Sequence, residues 1–166
     1  MKRLSTLFLV FCMLFALTAC GNIGGQSDED LVIPLGNTGA TVAIPAEMGF
    51  EAQESEKNDF YGLGANKEWA IIANVDLKSD YPDYTLAEYA SLTAQANKGS
   101  TPGQDLNGNY YFTYSLDMGD NDVYKYYTSI RETDTGYIRV SFYCFEDAWD
   151  TYRPQFKEWA ETIKTK

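Results

Sequence analysis

Three consecutive segments in the second half of the chain alternate between apolar and polar residues, and they restrict the fold more than any other feature. They run from Tyr110 to Asp117, from Val123 to Glu132 and from Tyr137 to Phe145. Alternation with a period of two is typical of β-strands that bury one face. The two connections are short and rich in Asp and Gly, and short connections join antiparallel neighbours. The sequence therefore predicts an antiparallel three-stranded meander.

Two helices are predicted, one before and one after this meander. Thr85 and Glu88 have the spacing of a capping box, so a helix is expected to begin there and to end near Gly99. The closing segment contains Pro154, a residue suited to the first turn of a helix. The apolar residues that follow it at helical spacing are Phe156, Trp159, Ala160 and Ile163. The second helix therefore has an apolar stripe that can pack on a sheet.

Shorter segments before the first helix also have strand character. They are residues 32–35, 40–44, 58–64 and 69–77. Strands, a helix, the meander and a second helix thus follow one another, an order that is typical of the α+β class. We predict a single α+β domain over residues 31–166, with an antiparallel β-sheet of about six strands and helices packed on it.

The segment TLAEYA at 85–90, the tyrosine-rich meander and the closing PQFKEWAETI at 154–163 resemble PsbP-like and DcrB-like domains. The resemblance covers residues 31–165 and implies an α/β/α sandwich. Such domains are frequent in bacterial lipoproteins of unknown function, and the plant photosystem members act as assembly and ion-retention subunits. For this chain, the resemblance implies a non-enzymatic binding or assembly role.

The N-terminal residues have the pattern of an exported precursor. Lys2 and Arg3 precede an apolar run over residues 4–17, which is shorter than the about 20 residues of a bilayer-spanning helix. Residues 17–20, LTAC, resemble the lipobox of bacterial lipoproteins. The resemblance implies removal of residues 1–19, lipidation of Cys20, and attachment to the extracytoplasmic side of a cell membrane through two acyl chains.

The composition of the remaining chain restricts its chemistry. Residues 20–30 are Gly-rich and then acidic, which is typical of a flexible tether. Without Lys2 and Arg3, 11 of the 13 basic residues remain against 24 acidic ones, so we expect no nucleic-acid partner. The chain has no histidine, which excludes Ser-His-Asp and Cys-His catalytic sites and imidazole metal ligands. Cys144 follows an apolar alternation and is predicted to be a buried core residue.

The second face of the meander is the candidate ligand surface. A three-residue loop at 134–136 would place Arg131 opposite Arg139, and facing like charges are unfavourable without an anion or acid between them. Either the second helix or the Glu-rich segment 51–56 covers this face and supplies carboxylates, or tyrosine rings on it bind a sugar or a peptide. The candidate residues are Tyr111, Tyr127, Arg131, Arg139 and Tyr143.

No metal or cofactor site is predicted. The acidic turn 117–122 contains ligands that calcium accepts, but it lacks the glycine and glutamate of an EF-hand loop, so we expect a solvated turn. The favoured function is a membrane-anchored, non-enzymatic binding or assembly module of the cell envelope, with an envelope protein or a small ligand as its partner. The alternatives are a carbohydrate- or peptide-binding surface protein and a carboxylate-dependent hydrolase.

Overall fold

The computed structural model of the chain describes residues 30–120 and 122–166, which form ten strands and two α-helices. The predicted signal peptide, Cys20 and the tether up to residue 29 lie outside these ranges. The helices are α1 (Leu86–Ala96) and α2 (Trp149–Glu161). The strands are β1 (Asp30–Pro34), β2 (Ala40–Pro45), β3 (Phe50–Gln53), β4 (Phe60–Gly64), β5 (Trp69–Leu77), β6 (Gly103–Gln104), β7 (Tyr110–Asp117), β8 (Val123–Glu132), β9 (Gly136–Phe145) and β10 (Lys164–Thr165).

The strands form two antiparallel sheets. The large sheet has seven strands in the order β3-β4-β5-β9-β8-β7-β6, and the small sheet has the order β1-β2-β10. Helix α1 packs on one face of the large sheet, and α2 packs on the other face together with the small sheet. This arrangement confirms the predicted α+β class with antiparallel strands and helices on the sheet. Strands β3, β6 and β10 were not predicted, since each is too short to show an alternating pattern.

The register between β8 and β9 differs by one residue from the prediction. The Thr133 amide donates to the Gly136 carbonyl at 2.9 Å, so only two residues remain at the hairpin tip. Arg131 consequently pairs with Ile138, and Arg139 pairs with Ile130. The predicted juxtaposition of Arg131 and Arg139 is therefore wrong, because a one-residue shift moves every side chain of a strand to the other face.

The pairing defines the two faces of the large sheet. We call them the α2 face and the α1 face after the helix that covers each. The α2 face carries Tyr111 of β7, Tyr127, Ser129 and Arg131 of β8, Ile138, Val140, Phe142 and Cys144 of β9, and Trp69, Ile71, Ala73 and Val75 of β5. The α1 face carries Tyr110, Phe112, Tyr114 and Leu116 of β7, Tyr124, Tyr126, Thr128 and Ile130 of β8, and Tyr137, Arg139, Ser141 and Tyr143 of β9.

Helix α2 closes the main hydrophobic core. The predicted stripe residues Phe156, Trp159 and Ala160 are buried in the same core as Val140 and Phe142. The fourth, Ile163, is also buried there, but it lies beyond the end of the helix at Glu161. The helix begins at Trp149, directly after a 3₁₀ turn over residues 146–148, so Pro154 does not stand in its first turn as predicted. Proline has no amide hydrogen, and the Asp150 carbonyl therefore lacks the helical hydrogen bond that residue 154 would donate.

Helix α1 has the predicted start. The Glu88 amide donates to Thr85 Oγ1 at 3.3 Å, and the Thr85 amide donates to Glu88 Oε2 at 2.9 Å, which confirms the capping box. The end of the helix is closed by the Gly99 amide, which donates to the Ala94 carbonyl at 2.8 Å. The left-handed residue of this C-terminal motif is Lys98, with φ of 52°. In the part of the chain that the structure describes, neither helix is long and apolar enough for a bilayer span.

Candidate binding cleft

The structure does not bring the five predicted ligand residues together. Tyr111, Tyr127 and Arg131 lie on the α2 face, whereas Arg139 and Tyr143 lie on the α1 face. A single ligand surface that includes all five is therefore wrong. The α2 helix covers the part of the face that holds Tyr127 and Arg131, as one of the two sequence interpretations proposed.

Arg131 has a structural role in this arrangement. Only 4% of the residue is exposed, its Nη2 donates to the Ala160 carbonyl near the C-terminus of α2 at 2.6 Å, and its Nη1 lies 3.1 Å from Asp105 Oδ2. Nη1 is thus paired with Asp105 by charge, and Nε has no hydrogen-bond partner within the described ranges. Burial lowers the pKa of Arg131, and the Asp105 carboxylate opposes this change. The carboxylate that the sequence analysis expected from α2 or from segment 51–56 thus comes from Asp105.

Asp105 also organises the loop in which it lies. Its Oδ1 accepts hydrogen bonds from the Asn107 and Asn109 amides, both at 2.9 Å. The Arg131 guanidinium therefore connects this loop, strand β8 and the end of α2. A substitution of Arg131 would leave a carboxylate that is 9% exposed without its cationic partner.

Arg139 is also paired, on the other face. Its Nε donates to Asp76 Oδ2 at 2.6 Å, and the Tyr89 hydroxyl donates to the same oxygen. Burial is the largest cause that raises the pKa of Tyr89, so its hydroxyl remains a donor at neutral pH. The three side chains connect β9, β5 and α1, and the ion pair is about one quarter exposed.

Tyr111 and Tyr127 line a cleft of about 380 Å³ between the large sheet and α2. The two rings are stacked, with centroids 5.4 Å apart and planes at 11°. A Cβ atom on Gly103 would lie 2.7 Å from Tyr111 Cζ, so the absence of a side chain at Gly103 lets the Tyr111 ring lie close to β6. Burial is the largest cause that raises the pKa of Tyr127, which keeps its hydroxyl protonated at neutral pH.

Helix α2 supplies the other wall of the cleft. Its lining residues follow at i, i+3, i+4 and i+7 and thus share one side of the helix. Arg153 and Lys157 are exposed, and neither forms an ion pair with any residue of 30–120 or 122–166. The complete set on this wall is Asp150, Arg153, Pro154 and Lys157. The cleft therefore presents two tyrosine rings, two cations and one carboxylate.

A second aromatic surface lies on the α1 face, beyond the region that α1 covers. The tyrosine patch, as we call it, consists of the half-buried Tyr114, Tyr124 and Tyr143 around the buried Tyr126. The Tyr126 ring stacks on Tyr114 with centroids 4.5 Å apart and on Tyr143 with centroids 4.8 Å apart. Leu116 and Phe145 next to it are each 38% exposed. The sequence analysis did not identify this surface, because it assigned Tyr143 to the opposite face.

The remaining predictions on individual side chains concern a thiol and a metal. Cys144 is 1% exposed, and burial raises the pKa of its thiol to about 11, which confirms the predicted buried core residue. Among residues 30–120 and 122–166, no group of three His, Cys, Asp or Glu side chains is suited to a metal ion. Asn121 of the acidic turn lies outside these ranges, so the solvated turn stays a prediction.

The sequence analysis missed the α2 wall of the cleft. It placed the helix start at Pro154, and this choice left Asp150 and Arg153 outside the helix. It also considered only the apolar stripe of the helix. The sequence does contain a signal for this wall: Arg153 and Lys157 are four residues apart and therefore lie on one side of the helix, beside the apolar stripe. Gly103 was assigned to a loop, and its role depends on the pairing of β6 with β7, which no local pattern indicates.

No protein-family model and no curated protein matches the chain. In contrast, 13 chains of solved structures match it. One of them is the solution structure of cyanobacterial PsbP (CyanoP) from Synechocystis sp. PCC 6803, with a TM-score of 0.57 and 15% sequence identity. The alignment covers 90% of this chain and 99% of CyanoP. At this identity the likeness concerns the fold alone, and it confirms that this chain has a PsbP-like fold.

Proposed function

We propose that this chain is a lipid-anchored, non-enzymatic binding or assembly module of the cell envelope. The observation that carries the proposal is the cleft between α2 and the Tyr111–Tyr127 pair. It combines apolar ring surface with a few polar groups on a rigid helix, which is the usual composition of a binding site. The PsbP-like fold supports the same class of function, since the resemblance to that family implies a binding or assembly role.

The chemistry of the cleft favours binding over catalysis. A two-carboxylate hydrolase needs an acid and a second carboxylate on opposite sides of the scissile bond. The residues that line the cleft include one carboxylate, that of Asp150. Asp105 and Asp76 are held in ion pairs with Arg131 and Arg139 and so contribute to structure. The hydrolase alternative is therefore less well supported than binding.

The proposed location depends on residues 17–20. Cleavage before Cys20 and transfer of two acyl chains would anchor the domain on the extracytoplasmic side of a cell membrane. The formal net charge of −11 works against attachment to anionic lipid head groups or nucleic acid, so the lipid supplies the anchor.

Anchoring is tested with the Cys20→Ala variant in cells that are fed a clickable fatty acid. We expect the wild-type chain to carry the label and to sediment with membranes. The variant is expected to carry no label and to keep its first 19 residues, because the thiol that receives the lipid is missing. A labelled or normally processed Cys20→Ala chain would contradict the lipid anchor.

Binding is tested by a pull-down from detergent-solubilised envelope, followed by mass spectrometry. The cleft variant Tyr111→Ala/Arg153→Gln/Lys157→Gln is compared with wild type and with the control Lys57→Gln/Lys164→Gln. Like the cleft variant, the control removes two exposed basic residues outside ion pairs, but neither of them lines the cleft. We expect wild type and control to retain the same species and the cleft variant to lose it. Identical retention by all three proteins, or retention by none, would contradict the proposal.

A further inference from the structure

We infer that the cleft binds an acidic sugar, that is, a hydroxyl-rich ring compound with a carboxylate or phosphate group. The inference rests on the proposed function and names the class of ligand. It follows from three features of the lining: two cations outside ion pairs, one carboxylate outside an ion pair, and a tyrosine ring fixed by its neighbours.

The cations define an anion-binding position. Arg153 and Lys157 are four residues apart on α2, which corresponds to about 6 Å along the helix axis. Four other basic residues, Lys78, Lys125, Arg131 and Arg139, are held in ion pairs. Arg153 and Lys157 are thus two cations outside ion pairs on one side of α2, and what distinguishes them from other exposed lysines is that both line a cavity. A guanidinium next to an ammonium suits a carboxylate or phosphate oxygen.

The Asp150 carboxylate at the same rim disfavours a ligand that is only anionic. The Asp150 carboxylate lines the cleft and would repel an anion placed beside it. Sugar hydroxyls donate to the carboxylate oxygens, whereas an acidic peptide would meet Asp150 and the net charge of −11 with further negative charge.

The aromatic side of the cleft suits a ring. Tyr111 is half-buried. Its ring lies between the Tyr127 ring and the backbone of Gly103, which has no side chain to displace it. Because these two neighbours cover its faces, the half-buried ring offers the cleft its apolar edge, against which the C–H groups of a pyranose can pack, and its hydroxyl as a polar end. A volume of about 380 Å³ is within the range of small-molecule sites.

The experiment is isothermal titration calorimetry with the mature lipidated chain in detergent. The matched probes are cellobiouronic acid and cellobiose, which differ by one carboxylate, and hexaglutamate represents an acidic peptide. We expect cellobiouronic acid to bind at least about tenfold more tightly than cellobiose, the gain of about one charge-assisted contact. Hexaglutamate is expected to bind more weakly than cellobiouronic acid.

Variants assign the effect to the cleft. Arg153→Gln/Lys157→Gln should remove the difference between the two sugars, and the control Lys57→Gln/Lys164→Gln should keep it. Tyr111→Leu should weaken both sugars alike. Equal affinities for the two sugars, tighter binding of hexaglutamate, an unchanged difference in the cleft variant, or no binding of either sugar would overturn the inference. If a protein partner depends on the cleft in the pull-down while the sugars fail to bind, the inference fails and the proposed function stands.

Discussion

The two faces of the large sheet are built differently, although the same strands form both. Of the described residues, 19 belong to the buried cluster on the α2 face and six to the cluster on the α1 face. The α2 face is largely buried and rich in aliphatic residues because a helix and a second sheet cover it. The α1 face is covered at one end only, and its open end carries the tyrosine patch. We infer that the α2 face supplies most of the stability, while the open aromatic surface leaves the α1 face tolerant of change.

Arg131 and Arg139, which the sequence predicts to face each other, lie on the two different faces and differ in burial. Arg131 is 4% exposed and its partner Asp105 is 9% exposed, whereas the Arg139–Asp76 pair is 30% and 25% exposed. Loss of one partner from a buried ion pair leaves an uncompensated charge in a poorly solvated site, which lowers the free energy of unfolding. The loss is much smaller where water can solvate the remaining charge.

The largest difference between the faces is expected for the neighbours Phe142 and Tyr143, which point to opposite sides of β9. Phe142→Ala should lower the free energy of unfolding by about 3–5 kcal/mol, because it opens a cavity in a closed core. Tyr143→Ala should lower it by about 1–2 kcal/mol, mainly through lost ring stacking. Urea unfolding followed by circular dichroism measures both. Equal losses would show that the two faces contribute equally.

A somewhat smaller effect is expected for the arginines. Arg131→Met should cost about 3 kcal/mol, because it leaves Asp105 buried and charged. Arg139→Met should cost about 1 kcal/mol or less, since that pair is partly solvated. Adding Asp105→Asn to Arg131→Met should recover part of the loss, and a double-mutant cycle measures the coupling. Purely additive costs would rule out a direct interaction of Arg131 with Asp105.

The smallest effect is expected at high pH. Burial, as the largest cause, raises the pKa of Tyr126 to about 12 from 10.0. Because the pKa is higher in the folded state, the associated stability is complete below pH 10 and is lost as the pH rises from 10 to about 12. In the Tyr126→Phe variant the free energy of unfolding should therefore fall less steeply with pH in that window than in wild type, and it should change little at neutral pH. Identical pH profiles for wild type and variant would contradict a buried Tyr126 hydroxyl.

The sequence predicts the elements whose patterns are local. The meander strands, the capping box at Thr85 and Glu88, and the apolar stripe of α2 depend on spacing within one segment, and the structure confirms each of them. The fold class follows from the order of these elements. The three short strands cannot be predicted in this way, because each forms only where another strand offers its backbone as hydrogen-bond partner: the next strand for β3 and β6, and the distant β2 for β10.

The register error has a specific physical origin in Gly136. The sequence analysis interpreted this glycine as part of the turn, but it is the first residue of β9. A Cβ atom there would lie 2.7 Å from the Asp76 carbonyl oxygen, so glycine is required for the close approach of β5. This requirement comes from a strand 60 residues away in the chain. The candidate site was predicted only in part for the same reason, since Tyr111 and Tyr127 were identified and their α2 partners were not.

The central claim is that the rim of the α2 face, and not the tyrosine patch, is the occupied surface in the cell. It is tested most directly by a photo-reactive amino acid placed at position 153 in one strain and at position 124 in another, each in the full-length chain. The account predicts a specific cross-linked species from position 153, lost when Tyr111→Ala is added, and none from position 124. A specific cross-link from position 124 alone would contradict the account and move the binding site to the tyrosine patch.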